Sequence, residues 1–183
     1  MEAPAGSNTV VGGEDLAIVA RQIGREPQAM SRIVAVCPWG CPAVVECLPA
    51  DRAGRPFPTL YYCTCPTLVA AVSRLEGTGG VRRWTRQLLD SSVLSASVEA
   101  AAKASVRRRV ALLDEHGLHV VSGRSLAGGV AGVADPLAVK CLHAHVAHAF
   151  ACPGYAFGEA VIAELEAFWC TDRRCAEVGG GDS

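Results

Sequence analysis

The segment Cys37-Pro38-Trp39-Gly40-Cys41-Pro42 constrains the fold more than any other stretch, because it sets two prolines and a glycine between the β-prone runs 33–36 and 43–48. Proline fixes φ and removes a backbone donor, and glycine takes conformations that other residues avoid, so the chain must reverse here. The flanking runs then pair as a hairpin. Asp51-Arg52-Ala53-Gly54 makes a second turn, and the aromatic run 59–64 adds a third strand.

Elsewhere the apolar spacing is helical. Leu16, Val19, Ala20 and Ile23 mark a first helix that stops at Gly24. Pro66 opens a second helix reaching Glu76, since the N–H that proline lacks is not needed at a first helical position. Residues 81–89 and 95–116 are helical by composition, with Val98, Ala102, Val106, Val110 and Leu113 near one face of the latter. The four glycines of 122–134 make that stretch a loop, and further helices are expected at 136–150 and 159–169. With 183 residues there is enough chain for a sizeable core. The expected fold class is α+β: one domain over 14–170, a small antiparallel β-sheet of about three strands packed by five or six helices, with flexible ends at 1–13 and 171–183.

Nine cysteines, an odd number, need an explanation. There is no signal-like start and no apolar run of the ~20 residues that a membrane span requires, so a cytoplasmic, reducing setting is expected. Sulfur there is free, metal-bound or catalytic rather than bridged. The formal net charge of −1, with 17 Lys+Arg against 18 Asp+Glu, gives no basic field for nucleic acid. The clusters Arg82, Arg83, Arg86 and Arg107 to Arg109 lack the interleaved aromatics of a nucleic-acid platform.

The residues that could carry chemistry fall into a few groups. On a helix over 137–150, Cys141, His145 and His148 stand at i, i+4 and i+7, within a stripe about 60° wide, while His143 lies opposite. Cys37 and Cys41 are separated by three residues, a spacing zinc knuckles allow. Cys63 and Cys65 alternate along an extended run and face the same way. Cys65 also precedes Pro66 at a helix entrance, where the dipole favours a thiolate. Taking one cysteine from each group predicts a zinc site of Cys37, Cys65 and Cys141, with His145 or His148 as fourth ligand, joining hairpin, third strand and late helix. An iron–sulfur cluster recruiting Cys170 or Cys175 is the alternative, and plain burial of small thiols competes with both. Cys65 is the candidate nucleophile. Ala71 and Val69 occupy the positions where a cysteine phosphatase loop needs arginine, which excludes that chemistry. Gly128 and Gly129 with Lys140 form a candidate anion site, although the P-loop sequence is absent and a mere connection explains the glycines equally.

Three segments resemble a bacterial family known as domain of unknown function 501. They are the run from Cys37 to Val45, the run from Pro56 to Pro66, and Lys140-Cys141-Leu142-His143-Ala144-His145-Val146-Ala147-His148. The family pattern reads C-P-x-G-x-P, then P-F-P-T-L with T-C-P, then S-A-G-G, then K-C-L-H ahead of A-H. Cys37, Gly40, Pro42, Phe57, Pro58, Thr59, Thr64, Cys65, Pro66, Gly128, Gly129, Lys140, Cys141, His143 and His148 stand at matching positions, over a resemblance running from Asp15 to Trp169. The chain departs from the pattern between Gly129 and Lys140, where the family's Met-Pro is missing. The family carries no assigned activity. Its members are often encoded beside a septum-formation initiator and an exopolyphosphatase-like protein, so the resemblance implies a partner in cell division, the envelope or phosphate metabolism. Two functional classes result: a metal-stabilised interaction module, and a small metal- or thiol-dependent enzyme acting on a phosphorylated small molecule.

Overall fold

The computed structural model describes residues 11–51, 53–118 and 124–175. Of the flexible ends expected at 1–13 and 171–183, only 11–13 and 171–175 fall among the described residues, and of the expected 122–134 loop, 122 and 123 lie outside them. Helix α1 (Gly13–Ile23) precedes the hairpin β1 (Met30–Val36) and β2 (Pro42–Cys47), and β3 (Tyr61–Cys63) follows. Then come α2 (Pro66–Gly77), α3 (Gly80–Asp90), α4 (Ser92–His116), a short α5 (Arg124–Ala127), a 3-10 turn (Val130–Gly132), α6 (Leu142–Ala151) and α7 (Ala156–Glu164). The three strands form one antiparallel sheet in the order β1-β2-β3, so the fold is α+β as expected.

The hairpin closes where the prolines and glycine require. Gly40 takes φ 77°, its amide donates to the Cys37 carbonyl, and the Cys37 amide donates to the Cys41 carbonyl, both at 2.9 Å. As the central strand, β2 is buried along its whole length. One of its residues is Glu46, fully enclosed and held in ion pairs by Arg32 of β1 at 2.7 Å and Arg108 of α4 at 2.8 Å. Burial opposes the charge, but the hydrogen bonds from Arg108 and Arg32 outweigh it and hold the Glu46 carboxyl below its ordinary value. This cluster ties sheet to helix. Behind it α6 packs against β3 and α7, and nearly all of its length is buried.

Two expected helices are corrected. The late helix starts at Leu142 rather than at 136, because Cys141 is extended (φ −154°, ψ 152°) and serves as its N-cap. Asp135 instead holds a turn, its carboxylate accepting from the Leu137 amide at 3.0 Å. The last helix spans Ala156–Glu164 rather than 159–169. Beyond it Phe168 and Trp169 leave the helical path to pack on Phe150, with ring centroids 6.2 and 5.8 Å away, so tertiary burial overrides local propensity.

Within the expected glycine loop, Gly132 has φ 71°, and a methyl group there would meet the Pro58 Cβ at 2.5 Å. Gly132→Ala is therefore expected to cost about 1–3 kcal/mol, combining a left-handed backbone with overpacking. Urea unfolding measures it, and an unchanged midpoint refutes the close approach.

Candidate functional site

Where β3, α2 and the start of α6 meet, they form a half-open cavity of about 360 Å³. Cys63 borders it from β3, Val69 and Ser73 from α2, and Lys140, Cys141 and His143 from the entrance to α6. Its lining follows from local structure. Because α6 begins after Cys141, the Cys141 thiol lies by the helix N-terminus, near the backbone N–H groups of His143 and Ala144 but without a cap hydrogen bond to them. Burial is the largest influence and pushes this thiol up, while those N–H groups and the Lys140 charge pull it back.

Glu76, near the end of α2, orders the other side. Its Oε1 accepts the Leu142 amide, capping α6, and lies 3.2 Å from His143 Nδ1. His143 Nε2 stands 3.2 Å from the Val69 carbonyl and 3.3 Å from the Ser73 hydroxyl. A proton on Nδ1 serves Glu76; Nε2 then accepts from the Ser73 hydroxyl when bare, or donates to the Val69 carbonyl when the ring carries both protons. Below them the Cys63 thiol donates to the His143 carbonyl at 3.6 Å, and burial pushes its own pKa far up. The cavity thus holds a thiol beside a cation and an imidazole oriented by a carboxylate.

The expected zinc ligands are not brought together. Among the described residues no group of three or more His, Cys, Asp or Glu stands where it could hold a metal ion. His145 Nδ1 pairs with the Tyr155 hydroxyl at 2.6 Å, and its ring meets Phe157 edge-on with centroids 4.8 Å apart. His148 lies against Tyr61 and Tyr155, at 5.3 and 4.9 Å. Both imidazoles belong to an aromatic layer of the core, where burial first and a neighbouring positive charge second lower His145 to about 3 and His148 to about 4. Cys141 lies outside the helical stripe, in the cavity, while Cys37 and Cys65 sit at the closed end of the hairpin. Cys65 does stand at the N-cap of α2, where the nearby Leu68 and Thr67 amides pull its thiol down, although it makes no cap hydrogen bond. Burial nevertheless wins and raises it, and only 3% of the residue is exposed, so the candidate nucleophile shifts from Cys65 to Cys141.

Gly128 and Gly129 have another task than holding an anion. Their carbonyls, with that of Pro58, accept from Arg109, a guanidinium buried to 1% exposure, and the Gly129 amide is spent on the Val133 carbonyl. The loop turns acceptors toward a cation rather than donors toward an anion. Lys140, the third member of that expectation, borders the cavity. Glu76, Ser73 and Arg109 were missed by sequence reasoning. Arg109 stood in a basic run read as solvated, and nothing local marked a helix-ending glutamate as the cap of another helix.

A sequence model of one family matches residues 33–163, which takes in the hairpin, β3 and the Lys140-Cys141-Leu142-His143 segment. The chain belongs to this family, described as protein of unknown function (DUF501). Neither the curated proteins nor the solved structures gave a match. For this DUF501 member the family span is somewhat shorter than 15–169, yet it holds every residue of the cavity. Among the described residues no helix is long and apolar enough to cross a membrane.

Proposed function

We propose that this DUF501 chain is a small thiol-dependent enzyme whose cavity binds a phosphorylated small molecule and whose nucleophile is Cys141. The observation that carries this reading is the meeting of Cys141, Lys140 and the Glu76-oriented His143 around one half-open cavity. A cavity of about 360 Å³ suits a metabolite-sized ligand. Lys140 supplies the charge that pairs with its phosphate. A thiol raised by burial attacks only with a base at hand. In the proposed step the Cys141 proton passes through one bridging water to the bare Nε2 of His143, a sulfur–carbon bond forms at an electrophilic carbon of the ligand, and the imidazolium returns the proton to the electron pair displaced from that carbon. Glu76 stabilises the imidazolium in between.

Alkylation followed cysteine by cysteine in a mass spectrometer tests this with two probes of equal size, anionic iodoacetate and neutral iodoacetamide. Cys141 is expected to react well ahead of the deeply buried Cys47 and to favour the anionic reagent more than a free thiol does. Lys140→Ala should remove that preference, and His143→Ala should slow both reagents about 100-fold, the lower range for losing a general base. A Cys141 that reacts no faster than Cys47, or rates untouched by both substitutions, overturns the reading.

A further inference from the structure

Five cysteines outside the cavity converge on the closed end of the hairpin, and three chain segments bring them there. The Cys37 amide donates to the Cys41 carbonyl at 2.9 Å, so these two thiols flank a single turn. The Thr64 and Cys65 amides both donate to the Ala43 carbonyl, at 2.9 and 3.3 Å, which sets Cys65 beside the strand leaving Cys41. From the far end of the chain, the Cys170 carbonyl accepts the Trp39 indole N–H at 2.8 Å, and the Arg173 guanidinium lies 4.4 Å over the Trp39 ring. The segment 170–175 is thereby laid over the same turn, and Cys175 packs into the apolar cluster that holds Cys37, Cys41 and Cys65. The thiols also act on one another. Cys37, Cys175 and Cys170 act electrostatically on Cys41, and Cys37 and Cys175 act on Cys65.

Single buried cysteines need no explanation beyond packing. A C-x-x-x-C pair and a C-x-x-x-x-C pair from opposite ends of the chain, meeting over a fifth thiol, are a different matter. Soft sulfur donors gathered from several segments suit a closed tetrahedral ion. Cys65 stands at the N-terminus of α2, where the positive end of the helix favours a thiolate. We propose that Cys37, Cys41, Cys65 and Cys175 form a four-thiolate site for zinc, which fastens the 170–175 segment to the hairpin. Cys175 is chosen over Cys170 because it packs against the cluster that holds the other three thiols, which Cys170 does not join. No three donors stand at ligating spacing among the described residues, so loading requires Cys37, Cys41 and Cys65 to draw together and the 170–175 segment to move inward onto the ion. The site keeps Cys37 and Cys65 from the sequence-based ligand set and replaces Cys141 and the histidines with Cys41 and Cys175.

The test uses the full chain, purified anaerobically and without an affinity metal, then titrated with cobalt(II) as a spectroscopic stand-in for zinc. The expected result is about one cobalt per chain, with the intense sulfur-to-metal band of a tetrathiolate, displaced by zinc at equal concentration. Cys175→Ser should weaken cobalt binding at least about tenfold, while Cys170→Ser leaves it unchanged. Cys175 is half-buried and at the chain's end, so this variant still folds if Cys37→Ser does not. Absence of the band with free thiols, a Cys37–Cys41 disulfide in the mass spectrum, or a Cys175→Ser protein that binds like the parent overturns the proposal.

Discussion

Glu46→Ala is expected to destabilise the protein by about 3–5 kcal/mol, which is the usual cost of breaking a buried ion pair from one side. The Glu46 carboxylate is fully enclosed, and both of its oxygens are engaged: Arg32 Nε and Arg108 Nη2 donate to Oε2 at 2.7 and 2.9 Å, Arg108 Nε to Oε1 at 2.8 Å. Removing it leaves two guanidiniums facing each other across a void. These arginines retain some exposure, 32% and 29% at the side chain, and Arg108 keeps Glu115, so part of the loss is recovered by turning toward solvent. Arg32→Ala should cost less, about 1–2 kcal/mol, because Arg108 still neutralises the carboxylate. For a domain whose whole stability is of order 5–15 kcal/mol, the glutamate change consumes a large share. The carboxyl is held low in the fold, so its contribution is complete above the unfolded pKa and disappears as pH falls through the folded one. Urea unfolding at neutral pH and again near pH 3 measures both: the gap between parent and variant should narrow in acid. Equal midpoints at neutral pH rule out the cluster as a major source of stability.

The second large effect is a loss of stability on mild acidification, well before the carboxylates titrate. His145 and His148 are lowered to about 3 and about 4, against an ordinary value of about 6.5. Between those limits the unfolded chain binds protons that the folded chain refuses, so stability must fall as pH falls. Each histidine contributes about 1.4 kcal/mol per pH unit, and the pair about 2–3 kcal/mol per unit between roughly pH 6 and 4. Above pH 7 the effect is absent. Unfolding free energies measured across pH 4–7 should show this slope, with nearly two protons taken up per molecule unfolded. His148→Asn should reduce the uptake by one. A flat profile over this interval contradicts the buried, neutral assignment of both rings.

The fold was legible where backbone chemistry is local. Pro38, Gly40 and Pro42 announce the reversal, Pro66 announces the start of α2, and the β-prone runs 33–36, 43–48 and 59–64 announce three strands; none of these needs knowledge of distant residues. The late helix was misread because Pro136 looks like a first helical residue, whereas Glu76, 66 positions earlier, caps the helix at Leu142. The histidines of α6 show the same limit. Cys141, His145 and His148 have the spacing of metal ligands, but Tyr155 and Phe157 on the following turn and helix take up that face. Spacing states which side chains can meet, while packing decides what they meet. Arg109 differs from Arg107 and Arg108 only in the direction it faces, and that direction depends on three carbonyls from two remote segments.

Glu76 carries a consequence for how this domain can vary. One oxygen serves the Leu142 amide and the His143 ring together, so the imidazole inherits its orientation from the capping of a helix rather than from a partner reserved for it. A shorter or neutral side chain at position 76 frees the ring and frays the start of α6 in the same stroke. Helix capping and the orientation of the ring are therefore a single trait here, and neither can drift at that position without carrying the other along.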